Sequence, residues 1–127
     1  MTGGSNLERV SFVKHKNRDI LVVDISGIRN VEESIATLQN ATRLVKTQAP
    51  GSLLMLTNVS GTHYDKAGAD AIKTYSRENT PFVKASAVVG VSGIKRLVLN
   101  TIVKITGRRI MPFDDAEAAK DWLAGQQ

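Results

Sequence analysis

The sequence predicts a single α/β domain with a mixed five-stranded sheet, its elements in the order β-β-α-β-α-β-α-β-α. Apolar runs of strand length alternate with longer segments in which apolar residues recur at helical spacing. Residues that start or stop helices stand between these segments. A chain of 127 residues can bury one core without disulfides. We therefore expect one domain over residues 7–127, preceded by a short flexible tail at 1–6.

The apolar patterns set the element boundaries. The predicted strands are 7–14, 19–25, 52–59, 83–91 and 109–113, and the predicted helices are 31–48, 65–77, 92–106 and a last one opening at Asp114. The first two strands are joined by a short polar turn, which predicts a hairpin. We expect the strands at 53–59 and 86–91 to be central, because their runs are apolar enough to be covered on both faces.

Capping residues mark the helix ends. The residues placed to open the four helices are Asn30, Asp65, Ser92 and Asp114. Asn30 and Asp114 are each followed three residues later by a glutamate, at Glu33 and Glu117, which is the spacing of a capping box. Pro50 and Gly51 end the first helix, and Gly107 ends the third.

Composition excludes several classes of site. The chain has no cysteine, so disulfides, thiolate metal sites and cysteine nucleophiles are excluded. His15 and His63 are far apart in sequence, and we expect neither a metal nor a cofactor. The longest apolar region, 97–105, is interrupted by Asn100 and Lys104 and is too short to span a bilayer. We therefore expect no transmembrane segment and a cytoplasmic protein.

The whole chain carries a formal net charge of +5, and positive charge is concentrated in its second half. No acidic residue lies between Glu78 and Asp114. The basic residues of that span are Lys84, Lys95, Arg96, Lys104, Arg108 and Arg109. They indicate either a surface that attracts phosphate groups or an acidic partner, or a solvated face whose acids come from other elements. We expect no nucleic-acid partner.

Three stretches together resemble a known family. They are "ILVVDISGIRNVEE", "LLMLTNVSGTHYDKAG" and "VKASAVVGVSGIKRLVLNTIVKITGRRI". In these stretches and in its element order the chain resembles the STAS domain, named for sulfate transporters and anti-sigma factor antagonists. It is most similar to the SpoIIAA-like branch, which is grouped with SEC14-type lipid-binding domains. The resemblance covers about residues 7–123.

The resemblance implies a phosphorylation switch whose acceptor this chain lacks. In anti-sigma antagonists the strand-to-helix corner reads Asp-Ser-Ser-Gly or Asp-Ser-Thr-Gly, and a hydroxyl there is phosphorylated. The matching residues here are Asp65, Lys66, Ala67 and Gly68. A phosphate needs an oxygen to attach to, so Ala67 cannot be switched in that way. We expect no phosphate within residues 64–70.

The rest of this corner offers few reactive groups. Ser60 and Thr62 lie just upstream and could accept a phosphate, although they match no family position. Asp65 is explained by helix capping, and Gly68 by close approach of a neighbouring backbone or a partner. His63, Tyr64 and Asp65 lack a nucleophile or second carboxylate at a readable spacing, so the sequence predicts no catalytic residue.

The second corner, at 90–96, predicts a helix start suited to anions. Gly90, Ser92 and Gly93 would either expose backbone amides to an anion or serve a tight turn and a cap. Lys95 and Arg96 would add positive charge. If both corners lie at one end of the sheet, these two side chains and Asp65 form a mildly positive rim.

The helix after this corner has a wide apolar arc. The residues at core spacing are Ile94, Leu97, Val98, Thr101, Ile102 and Ile105. Leu99 and Val103 lie off that stripe, and we expect them to form an apolar wall beneath the rim. Such a wall would contact a partner, a second subunit, a hydrophobic ligand, or the neighbouring C-terminal helix.

These observations favour a non-enzymatic STAS-like module that acts through protein–protein association, either with a partner or with itself as a homodimer. The alternative is a carrier or sensor of a lipid or another hydrophobic anionic small molecule. The residues expected to bind are Asp65, Lys66, Gly68, Ser92, Gly93, Lys95, Arg96, Leu99 and Val103. A large pocket beneath the 94–105 helix would favour the carrier, and an apolar surface patch would favour association.

Overall fold

The computed structural model describes residues 9–63 and 65–126, with the side chain of residue 94 left out. The strands are β1 (Val10–His15), β2 (Arg18–Asp24), β3 (Leu53–Asn58), β4 (Val83–Val89) and β5 (Ile110–Phe113). The helices are α1 (Val31–Val45), α2 (Lys66–Asn79), α3 (Ile94–Thr106) and α4 (Ala116–Ala124), with a 3-10 turn at Thr80–Phe82. The predicted α/β class, with a mixed five-stranded sheet and four helices, is confirmed over these residues. The tail expected at 1–6 and the first two residues of the first predicted strand lie outside them.

The hairpin forms because the turn residues accept positive φ. Lys16 and Asn17 have φ angles of 50° and 66°, which is the conformation of a two-residue type I′ turn. This turn twists in the same sense as the strands, so β1 and β2 pair antiparallel from Val10 opposite Val23 to His15 opposite Arg18.

The sheet runs in the order β1-β2-β3-β4-β5, and β2 through β5 are parallel to one another. β3 is therefore in the middle and β4 is also interior, as their apolar runs predict. Because β3 and β4 are parallel neighbours, the loops that follow Asn58 and Val89 lie at the same edge. This edge carries both corners singled out in the sequence.

The ends of α1 and α4 each correct one prediction, whereas the Asn30 and Gly107 caps are confirmed. Asn30 accepts a hydrogen bond from the Glu33 amide at 3.1 Å, and Gly107 ends α3 in the left-handed conformation at φ 66°. The last helix is capped by Asp115, not Asp114, since the Asp115 side chain accepts from the Ala118 amide at 2.8 Å. The first helix ends at Val45, three residues earlier than predicted.

The two faces of the sheet are covered unequally. α1, α2 and α3 lie on one face, where Leu38, Tyr75 and Leu99 pack into the main core. On the other face α4 is the only helix among the described residues, and Ala119 and Leu123 are fully buried there. The strand residues beneath α4 are Ile20, Leu54, Leu56, Ala85, Ala87 and Val89.

Candidate functional site

The two strand-end corners touch each other. Val59 donates a backbone hydrogen bond to Val89 at 2.9 Å, and Gly90 follows with φ at +88°. A Cβ atom on Gly90 would come within 2.6 Å of the Ser60 Cα atom. Gly90 therefore serves both the positive φ and the close approach of the two loops.

The first corner is explained largely by helix capping. Asp65 accepts from the Gly68 amide at 2.9 Å, so its predicted role as the N-cap of α2 is confirmed. Lys66 is exposed and pairs with Asp70 at 3.1 Å along the same helix. A Cβ atom on Gly68 would make only ordinary contacts, at 3.6 Å to Asp65 and 3.8 Å to Val31. No neighbouring backbone in the described chain requires a glycine at this position.

The two hydroxyl side chains upstream of the corner, on Ser60 and Thr62, both lie in packed loops. Thr62 is buried and donates to the Ile25 carbonyl at 2.6 Å, which ties the β3 loop to the β2 loop. Ser60 lies against Gly90 and donates its amide to the Asn58 side chain. Phosphorylation of Thr62 would require this loop to open.

The second corner differs from its prediction. The N-cap of α3 is Gly93, with φ 55° and ψ −129° and no side-chain hydrogen bond. Ser92 is therefore one residue too early to cap the helix and is exposed. The expected capping role of Ser92 is wrong, because the glycine adopts a backbone conformation that begins the helix one position later.

Lys95 and Arg96 face different surroundings. Lys95 is half-buried and donates from Nζ to the Val59 carbonyl at 2.7 Å, and desolvation lowers its pKa. Arg96 is exposed. The single rim that was expected to combine these two side chains with Asp65 is therefore not formed: Lys95 turns inward, Asp65 caps α2, and Arg96 faces solvent.

The apolar faces of α3 differ in part from those predicted, although Ile102 of the predicted core stripe is buried as expected. Leu99 is buried at 8 % exposure and Val103 is half-buried and packs against the core. Leu97 and Ile105, expected in the core, are 64 % and 53 % exposed. The expected outward wall of Leu99 and Val103 is wrong, since their row begins at Lys95, which is held against β3.

The exposed side of α3 consists of two parallel rows, which we call the outer face. Its residues are Arg96, Leu97, Asn100, Thr101, Lys104 and Ile105, all exposed. Residues four apart stack along a helix, so Leu97, Thr101 and Ile105 form one row. Arg96, Asn100 and Lys104 form the row beside it. At 1.5 Å per residue the outer face is about 12 Å long.

A cavity of about 70 Å³ lies beneath the inner side of α3, between that helix, α2 and the sheet. Most of its lining is apolar and includes Met55, Ile72, Leu99 and Ile102. The cavity is far smaller than a pocket that holds a large lipid. A second hollow of about 420 Å³ lies between α1 and α2 and is an open groove with mixed polar lining, away from α3.

Polar groups gather in this cavity, and sequence reasoning missed them. The polar side chains that line it are Thr57, Thr62, Tyr75, Ser76, Ser86, Lys95 and Arg108. Tyr75 and Thr57 are joined by a hydrogen bond of 3.0 Å. Burial raises the pKa of Tyr75 to about 12, although the Thr57 hydrogen bond and nearby Arg108 act in the opposite direction. The available signal was the presence of hydroxyl side chains at Thr57 and Ser86 within otherwise apolar strands.

The described residues provide neither a metal-ligand cluster nor a membrane-spanning helix. Within 9–63 and 65–126, no three acidic or histidine side chains are grouped closely enough to hold a metal ion. Of the helices that the structure describes, none combines the length and the apolar character needed to cross a bilayer.

Comparison with known proteins finds no similar protein, so the proposed function rests on the geometry of this chain. No protein-family model matches the chain, and no curated protein or solved structure is significantly similar to it. The STAS resemblance therefore stays a prediction from the sequence.

Proposed function

We propose that this protein is a non-enzymatic, STAS-like binding module that associates with an acidic segment of a partner protein through the outer face of α3. The observation that carries the proposal is the exposure of Leu97 and Ile105, at 64 % and 53 %, on one row of a helix. Large apolar side chains aligned on a surface are typical of contact sites.

The charge beside that row favours an acidic partner. Arg96 and Lys104 lie in the adjacent row, and α3 itself contains no acidic residue. A partner that presents carboxylates around apolar anchors would be complementary to this face. Two copies of the protein meeting through α3 would place Arg96 and Lys104 near their own counterparts, which opposes self-association by like-charge repulsion.

The apolar anchors supply most of the expected affinity. Burial of a large aliphatic side chain contributes about 1.5–3 kcal/mol, whereas an exposed ion pair contributes about 0–1 kcal/mol. Replacing Leu97 and Ile105 with serine should therefore weaken binding more than replacing Arg96 and Lys104 with alanine.

The test uses a labelled acidic peptide with leucines at helical spacing, measured by fluorescence anisotropy at low and high salt. We expect the Leu97→Ser, Ile105→Ser double variant to lose binding. The Arg96→Ala, Lys104→Ala variant should bind more weakly and with a smaller salt dependence. Phe12→Ser is the matched control, because Phe12 is also exposed but lies on β1.

Two outcomes would contradict the acidic partner. If the wild-type protein bound equally well to a peptide whose leucines are replaced by serine, Leu97 and Ile105 would have no role as apolar anchors. A dimer in native mass spectrometry that disappears in the Leu97→Ser, Ile105→Ser variant would instead make a second copy the occupant of this face.

A second candidate function is the binding of a small hydrophobic anion, and the cavity beneath α3 favours it. The cavity is largely apolar and two basic side chains, Lys95 and Arg108, line it. Its volume of about 70 Å³ suits a small molecule better than a membrane lipid. The outer face and the cavity lie on opposite sides of α3, so the two functions can be tested independently.

A further inference from the structure

The cavity beneath α3 is positively charged. Lys95 and Arg108 line it, and no aspartate or glutamate is among its described lining residues. Lys95 is engaged with the Val59 carbonyl at 2.7 Å. The charge of Arg108 has no such close partner, because the described residues provide no carboxylate within ion-pairing distance of it.

The hydrogen bonds of Arg108 are incomplete. Its Nη1 atom lies 3.4 Å from both the Ser76 carbonyl and the Thr80 hydroxyl, which are long contacts. Its Nε atom is buried and has no partner among the described residues. Burial lowers the pKa of Arg108, although the guanidinium stays charged in proteins. A guanidinium with free donors facing a cavity matches the two oxygens of a carboxylate.

Ser86 supplies an independent observation. It is 95 % buried, at 5 % exposure, and its hydroxyl has no hydrogen-bond partner among the described residues. In the sheet Ser86 lies between Met55 on β3 and Ile110 on β5, and Ile110 follows Arg108 by two residues. Both Ser86 and Arg108 line the same cavity. A buried hydroxyl without a partner costs free energy unless a water or a ligand satisfies it.

The size of the cavity limits the ligand. A water needs roughly 10–15 Å³ of such volume, so about 70 Å³ holds a molecule of roughly five to seven non-hydrogen atoms. The apolar part of the lining, with Met55, Ile72 and Ile102, suits a short hydrocarbon chain. A monoanion can pair with Arg108 while Lys95 keeps its bond to the Val59 carbonyl.

We propose that this cavity binds a short-chain monocarboxylate, with its carboxylate on the Arg108 guanidinium and the Ser86 hydroxyl and its chain against Met55, Ile72 and Ile102. The inference rests on the second candidate function and names its ligand class. It does not depend on the outer face of α3.

The test titrates the full chain with pentanoate, pentanamide and 1-pentanol and follows amide shifts by nuclear magnetic resonance. Pentanoate should shift the amides around Ser86 and Arg108 and bind about tenfold or more tightly than either neutral molecule, because charge-assisted bidentate pairs are the stronger kind. This comparison needs no variant, so it does not depend on any substituted protein folding.

Variants then assign the contact. Arg108→Gln should weaken pentanoate binding about tenfold or more while leaving 1-pentanol binding unchanged. The neighbouring exposed Arg109 provides the matched control, and Arg109→Gln should bind pentanoate as the wild type does. Ser86→Ala should weaken pentanoate binding by a smaller factor.

The outcomes separate the inference from the function on which it rests. Equal binding of pentanoate and 1-pentanol would overturn the carboxylate site and leave a neutral hydrophobic ligand for the cavity. No shift with any of the three molecules would overturn the cavity as a ligand site altogether. If Arg108→Gln and Arg109→Gln lost pentanoate binding equally, the general surface charge of the protein would explain the binding, and the contact with Arg108 would be overturned.

Discussion

At the scale of single residues, Tyr75 shows how burial changes the chemistry of a core position. Its side chain is 6 % exposed and its hydroxyl is bonded to Thr57 at 3.0 Å. Desolvation dominates over that hydrogen bond and over Arg108, so the pKa of Tyr75 is raised to about 12. Tyr75 is therefore a neutral hydroxyl at physiological pH, and it can donate one hydrogen bond within the cavity.

This shift predicts a loss of stability in alkali. An unfolded tyrosine ionises near pH 10, whereas the folded Tyr75 keeps its proton until about pH 12. The contribution of Tyr75 to the unfolding free energy is complete below the unfolded pKa. It falls as pH rises towards the folded pKa, by up to about 1.4 kcal/mol per pH unit. Tyr75→Phe should lack this slope.

The measurement is urea unfolding of both proteins at several pH values, from about pH 9 to about pH 11. As pH rises, the unfolding free energy of the wild type should fall relative to that of Tyr75→Phe. Lys95, whose pKa is lowered by desolvation, contributes in the opposite direction but is present in both proteins. Parallel curves for the two proteins would contradict the buried, protonated Tyr75.

At the scale of elements, the two sides of α3 should respond differently to the same substitution. Leu99→Ala should lower the unfolding free energy by about 2–5 kcal/mol, because it leaves a hole beside the main core. Leu97→Ala should change it by less than about 0.5 kcal/mol, because Leu97 is mostly in solvent. Chemical denaturation of the two variants checks this, and equal losses would contradict the contrast between the two sides of the helix.

The sequence predicted local features well because neighbouring residues determine them. The Asn30 cap needs only the amide of Glu33, and the run at β3 is apolar whatever lies above it. The orientation of α3 was not predictable in this way, because the rows through Leu97 and through Leu99 are both apolar. What distinguishes them is the bond from Lys95 to the Val59 carbonyl, 36 residues earlier.

The cavity escaped prediction for the same reason. Arg108 contacts Ser76, 32 residues earlier, and Ser86 lines the cavity between its sheet neighbours Met55 and Ile110. In the sequence Arg108 stands directly before the last predicted strand, 109–113, and beside Arg109. Nothing local distinguishes Arg108, which lines the cavity, from Arg109, which faces solvent.

At the scale of the whole molecule, one helix of nine residues covers the second face of the sheet in the part of the chain that the structure describes. α4 is held by the burial of Leu123 and by Arg18, whose Nη1 donates to the Ala124 and Gln126 carbonyls at 3.1 and 2.7 Å. His15 adds a 2.7 Å contact to Asp121, and this contact and Lys16 keep the pKa of Asp121 low. The hairpin turn and the last helix are thus tied together.

Leu123→Ala should therefore destabilise the whole sheet. The expected loss is about 2–5 kcal/mol of unfolding free energy, as for a large aliphatic residue cut back in a core. Glu117→Gln, on the exposed side of the same helix, should change it by less than about 0.5 kcal/mol. Thermal unfolding followed by circular dichroism would show the contrast, and a wild-type melting temperature for Leu123→Ala would contradict the role of α4 in covering this face.

The reliance on α4 has a consequence for the newly made chain on the ribosome. Leu54 and Leu56 are synthesised well before Leu123, the residue that covers this face. At about 5–20 residues per second, the 67 residues from Leu56 to Leu123 take roughly 3 to 13 s to translate. Throughout that interval Leu54 and Leu56 lack the cover of Leu123, and apolar surface exposed during folding is of the kind that chaperones bind.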